Sequence, residues 1–178
     1  MRRRQTVIPL VVGALAVLPL AAPASAAGSG STPVTVTVTT GTLDITVPAG
    51  PVSLGTVPAL ATAQTVSAQL GNVTVTDSRG GTTGWVVTAN GNDFVGPSST
   101  ISVSAAGSSS YTSPAAAVTG TANVAPSDLN PLYPPGPVQT ATGVAGVNTA
   151  TWNPTITLNL PANTVAGTYT STIVHSVA

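Results

Sequence analysis

Asp77 and Arg79 stand two residues apart, and Trp85 follows after a stretch rich in glycine. A carboxylate and a guanidinium at that spacing can pair within a turn, and a nearby indole offers the guanidinium an aromatic face. Two outcomes are open. The three groups close a hairpin as a buried clamp, or they form an exposed platform. On the platform Trp85 stacks on a sugar ring while Asp77 and Arg79 hold hydroxyls or peptide carboxylates. Tyr133, Trp152 and Tyr111 are further stacking candidates. His175 is the single histidine and shares parity, counting by twos, with Tyr169, Ile173 and Val177. A lone imidazole on such a face reads as a packed, hydrogen-bonded side chain rather than a ligand.

General acid–base catalysis draws on His, Glu, Asp, Lys, Tyr or Cys. This chain has four acidic residues, all aspartate, with three tyrosines and no cysteine. Asp77 and Asp93 are one conceivable carboxylate dyad, but both lie in glycine-rich sequence where aspartate serves turns. Aspartates with carbonyls can also hold calcium, yet no D-x-D-x-D-G loop occurs. The expectation is a binding protein, not an enzyme, with no cofactor and no metal.

The charge inventory narrows the partners. Arg2, Arg3 and Arg4 are three of the four basic residues, and Arg79 is the fourth. Nucleic acid needs several cations to neutralise phosphates, so it is not an expected partner. The arginine cluster precedes an uncharged apolar run over 7–22, then Ala24-Ser25-Ala26. That order predicts a secretory signal peptide over 1–26, cleaved before Ala27, with no membrane insertion afterwards. The expected location is secreted, on the cell wall or cell surface. The processed chain would carry one cation against four carboxylates, a balance of about −3. Without cysteine, burial and strand pairing must supply the stability.

A flexible leader over 27–32 is expected to precede one domain over 33–178. Val34, Val36 and Val38 alternate with Thr35, Thr37 and Thr39, and Leu43, Ile45 and Val47 alternate with polar residues, the period of half-buried strands. Further strands are expected over 65–70, 72–76, 85–89, 100–104, 115–119, 155–160 and 168–177, separated by Gly, Pro and Asn turns. The reading is all-β: an antiparallel β-sandwich, Ig-like or jelly-roll-like, of about eight to ten short strands. Residues 126–137 hold five prolines around Leu132 and Tyr133, so a long loop is expected there. It is either a stiff crossover or a binding loop presenting Tyr133. Ser108 to Ser113 read as a serine-rich loop carrying Tyr111.

The run from Leu70 through Val73-Thr74-Val75-Thr76-Asp77-Ser78-Arg79-Gly80-Gly81, with Gly84-Trp85-Val86-Val87 and Phe94, resembles the first signature of bacterial WxL domains. Pro154-Thr155-Ile156-Thr157-Leu158, Pro161-Ala162 and Gly167-Thr168-Tyr169-Thr170 resemble the closing strands of that family. The motif positions fall on Trp85 and Val87, where valine replaces leucine, and on His175 and Val177, where histidine replaces the second tryptophan. The resemblance implies a secreted wall-binding module. Its ligand would be peptidoglycan or another wall glycan, with a membrane-anchored surface protein of the same system as a further partner. The candidate ligand-binding residues are Asp77, Arg79, Trp85, Tyr133 and Trp152. The rival expectation is a structural or adhesive protein that binds other proteins by edge-strand addition through residues 34–39.

Overall fold

The alternation of β-branched and polar residues does produce strands, and they pair antiparallel throughout. The computed structural model describes residues 28–178, so the expected signal peptide lies outside the described residues. Eleven strands form within the compact unit Val38–Ala178. They are β1 (Leu43–Thr46), β2 (Gln64–Gln69), β3 (Val73–Asp77), β4 (Trp85–Gly91), β5 (Phe94–Val95), β6 (Thr100–Ile101), β7 (Ser109–Thr112), β8 (Ala117–Pro126), β9 (Gly136–Trp152), β10 (Thr155–Leu160) and β11 (Ile173–Val177). The fold is an all-β antiparallel sandwich whose larger sheet curls toward a barrel.

The spine of the larger sheet is β9, 17 residues long. Its C-terminal half pairs with β3, Val73 to Asp77 against Trp152 to Asn148. Its N-terminal half pairs with β4, Trp85 opposite Ala141 and Ala89 opposite Gly136. Since β8 pairs along the other side of β9 over both halves, β3 and β4 must run end to end along one edge. Beyond them, β1 lies on β3 and β11 on β4. The smaller sheet runs β2-β10-β7, and β5 with β6 forms a short hairpin.

Parity explains the core. Val73, Val75 and Asp77 of β3 and Trp85, Val87 and Ala89 of β4 all point inward. They meet Ile156 and Leu158 of β10 and Tyr111 of β7 between the sheets, the interdigitated packing of a sandwich.

Several expectations need correction. Residues 34–39 form no strand: Val34, Val36 and Val38 are 91%, 88% and 88% exposed. Alternation states that a segment can bury one face, not that a partner is present. The serine-rich run with Tyr111 is not a loop but β7. Ser109 Oγ donates to the Val103 carbonyl and accepts from Leu132 N–H, so the polar side chain is satisfied inside the sheet. The closing strand is shorter than 168–177, with Thr170 making only an isolated bridge to Val95. Residues 127–135 do form a loop between β8 and β9, and Leu132 dips from it into the core.

Candidate functional site

Asp77 occupies the last inward position of β3, so the strand carries a carboxylate into the core, where an unpaired charge is costly. Arg79 answers it. Its Nε donates to Asp77 Oδ1 at 2.8 Å and its Nη2 to Oδ2 at 2.9 Å. The Arg79 backbone N–H adds a third bond to Oδ1 at 3.1 Å. The Arg79 side chain's hydrogen bonds hold Asp77 below the usual carboxylate range, against the opposing effect of burial. Nη2 also donates to the carbonyls of Thr83 and Gly84. The guanidinium is thus occupied by carboxylate and backbone. Contrary to the expected stacking on Trp85, no cation–π pair forms among the described residues.

Asn148, opposite Asp77 on β9, completes the arrangement. Its Nδ2 donates to Asp77 Oδ2 at 3.4 Å, and its Oδ1 accepts from Trp85 Nε1 at 3.2 Å. The network spans the gap where β3 ends and β4 begins, while Gly146 N–H donates to the Gly81 carbonyl across the same gap. Of the two outcomes open for Asp77, Arg79 and Trp85, this geometry is the clamp. Asp77 and Trp85 are buried, so neither presents a surface to a ligand here. The Asp77–Asp93 dyad has no support either. Both Asp77 oxygens face Arg79, and Asp93 Oδ1 instead accepts from Val103 N–H.

A second buried chain joins Trp152, Tyr111 and His175. Trp152 Nε1 donates to Tyr111 Oη at 3.1 Å, and Tyr111 Oη lies 3.0 Å from His175 Nε2. An indole N–H can only donate, so the phenol accepts there, and the direction of the Tyr111–His175 bond follows the imidazole tautomer. His175 Nδ1 is buried without a partner among the described residues. Burial lowers the His175 pKa to about 4 and raises that of Tyr111. Trp152 is therefore a core residue and not the exposed contact expected of it, because its inward parity in β9 places it between the sheets. The motif positions do come together. Val87 of β4 pairs with Val177 of β11, and Ala89 with His175, so both motif sites share one strand pair.

Tyr133 differs from the other candidates. Leu132 anchors the loop by donating to Ser109 Oγ and accepting from Gly91 N–H, and the next residue, Tyr133, is 51% exposed. It borders a shallow pocket of about 240 Å³ together with Gly91, Asn92, Asp93 and Ser104. Asn92 and Asp93 follow the end of β4, where the Asn92 backbone bonds to Thr172. Asp93 is held by its bond to Val103, leaving Oδ2 without a partner among the described residues. An aromatic ring, a carboxylate, a carboxamide and a hydroxyl thus surround one dip. The volume lies below the roughly 300–1,000 Å³ of drug-sized clefts. Of these residues, Tyr133 is legible in the sequence as an aromatic in a proline-rich loop, and Asp93 as a turn residue. Asn92 has only the polar Asn90-Gly91-Asn92-Asp93 cluster as a local signal, and Ser104 has none.

A second, apolar groove of about 250 Å³ lies under the 47–54 loop, lined by Leu70, Phe94, Ile156, Ile173 and His175 among others. No group of three or more metal-ligating side chains occurs among the described residues. Comparison with protein-family models, curated proteins and solved structures finds no match.

Proposed function

We propose that this chain is an exported, non-catalytic surface protein that binds a wall glycan, with peptidoglycan the ligand implied by the WxL resemblance. The observation that carries the reading is Tyr133, exposed beside Asp93, Asn92 and Ser104 at the rim of a shallow pocket. A pyranose offers an apolar face to an aromatic ring and hydroxyls to acceptors and donors at its edge. A tyrosine flanked by a carboxylate, a carboxamide and a hydroxyl complements both.

Asp77, Arg79, Trp85, Trp152 and His175 serve this function indirectly, through the packing and hydrogen bonds of the fold that carries the pocket. Binding rests on stacking and hydrogen bonding, because the described chain offers one cation, Arg79, already committed to Asp77. The test is retention of the purified protein on teichoic-acid-free peptidoglycan across a salt series. Retention that survives salt supports the reading, and elution by moderate salt contradicts it.

A further inference from the structure

Among the described residues, the outer edge of β8 is the longest strand edge without a partner. β8 spans 10 residues and pairs with β9 over its length. Among the described residues it pairs with no other strand. An open edge presents a row of N–H and C=O groups ready to accept another strand, and native proteins commonly defend it with charges or proline. β8 reads Ala-Val-Thr-Gly-Thr-Ala-Asn-Val-Ala-Pro, with no charge and with proline only at its end. Two register shifts interrupt its pairing, between Gly120 and Thr121 and between Thr121 and Asn123.

The same chain carries a segment suited to that edge. Val34, Val36 and Val38 alternate with Thr35, Thr37 and Thr39, all exposed and outside any strand. In an extended chain the three valines share one face. Ala122 and Val124 of β8 pack against the core, so the inward face of β8 is apolar. A strand laid along its edge with the valines on that side would extend this face. Neither partner has a charge to lose to desolvation.

We propose that residues 34–39 of one copy add as a strand to the β8 edge of a second copy. Donor and acceptor are different surfaces of one chain, so each copy offers both. The contact is heterologous and propagates into filaments or closes into rings. Main-chain hydrogen bonds supply the affinity, and the alternating valines supply the register. This inference stands apart from the glycan reading, since neither Tyr133 nor its pocket takes part.

The test uses the protein purified as its host processes it. Sedimentation velocity across a dilution series is expected to show oligomers that grow with concentration. Val36→Asp places a charge on the valine face outside the folded sheets. It is expected to keep the parent melting temperature and peptidoglycan retention while remaining monomeric. A synthetic peptide of residues 32–40 is expected to cap the parent oligomers, and the same peptide N-methylated at alternate amides is expected to have no effect. Hydrogen exchange is expected to show protection of β8 amides that rises with concentration in the parent and is absent in Val36→Asp. A parent that stays monomeric, assembly that persists in Val36→Asp, or β8 protection independent of concentration would each overturn the proposal. The last of these would mean the segment returns to its own β8. Loss of peptidoglycan retention in the parent would count against the glycan reading alone.

Discussion

Asn148 accepts the indole proton of Trp85 at 3.2 Å across the gap between two strands that run end to end. The same side chain donates to Asp77 at the end of the preceding strand. One carboxamide thus ties the close of β3 to the start of β4, where the backbone ladder lapses. Asp77, Arg79 and Trp85 are fixed by that junction, which explains why a carboxylate and an indole occupy inward positions of adjoining strands.

Trp85→Ala is expected to destabilise folding by about 3–5 kcal/mol, the cost of emptying a large aromatic site in a packed core. Asn148→Ala is expected to cost about 1–3 kcal/mol by leaving buried polar partners unsatisfied. Arg79→Ala is expected to be destabilising, with a smaller effect than Trp85→Ala because the guanidinium is partly exposed. Urea denaturation midpoints check the order. A midpoint unchanged by Trp85→Ala would contradict the clamp.

Stability is expected to fall in acid over two windows. His175 has a folded-state pKa of about 4 against 6.5 when free. Above 6.5 it is neutral whether folded or unfolded. Between 6.5 and 4 the unfolded chain takes up a proton that the folded chain refuses, so stability declines, by on the order of 3 kcal/mol in all. Asp77 is depressed below 3.8 by Arg79, so its contribution is present above 3.8 and is lost as pH falls through the lower folded value. His175 is the only histidine, so His175→Phe is expected to remove the upper window and leave the lower one. Thermal melts across pH for both proteins measure this, and an upper slope surviving in His175→Phe would refute the assignment.

Gly120 and Gly143 separate crowding from backbone strain. Both have positive φ, +84° and +59°. A Cβ on Gly120 would run into the Val147 carbonyl, whereas one on Gly143 meets nothing. Gly143→Ala is expected to cost about 1–2 kcal/mol from the left-handed backbone alone. Gly120→Ala is expected to cost more, since the bulge of β8 must also shift. Equal melting temperatures for the two variants would show that β8 yields freely at that point.

Much of the fold is legible in the sequence, for a physical reason. β3, β4 and β10 each have one face on the core, so Val73, Val75, Val87, Ile156 and Leu158 recur at a period of two. The spine β9 was not legible. Gly143 and Gly146, both at positive φ, fall in its middle, where no period-two apolar pattern marks a strand that serves two collinear neighbours. The segment 34–39 has the clearest alternation and yet forms no strand, because periodicity specifies a face and not a partner. Of the candidate site, Tyr133 could be read from an aromatic in a proline-rich loop. Its neighbours could not. Asn92, Asp93 and Ser104 reach Tyr133 only through the end of β4, the β5–β6 hairpin and the anchoring of Leu132.

The binding of Tyr133→Ala to purified peptidoglycan, measured beside the parent protein, tests the glycan reading most directly. Tyr133 is exposed while Leu132 does the anchoring, so the variant is expected to keep the parent melting temperature. Loss of the stacking surface is expected to weaken binding by about tenfold or more, equivalent to ~1.4 kcal/mol, at low and moderate salt alike. Binding equal to that of the parent in a fully folded Tyr133→Ala protein would contradict the account.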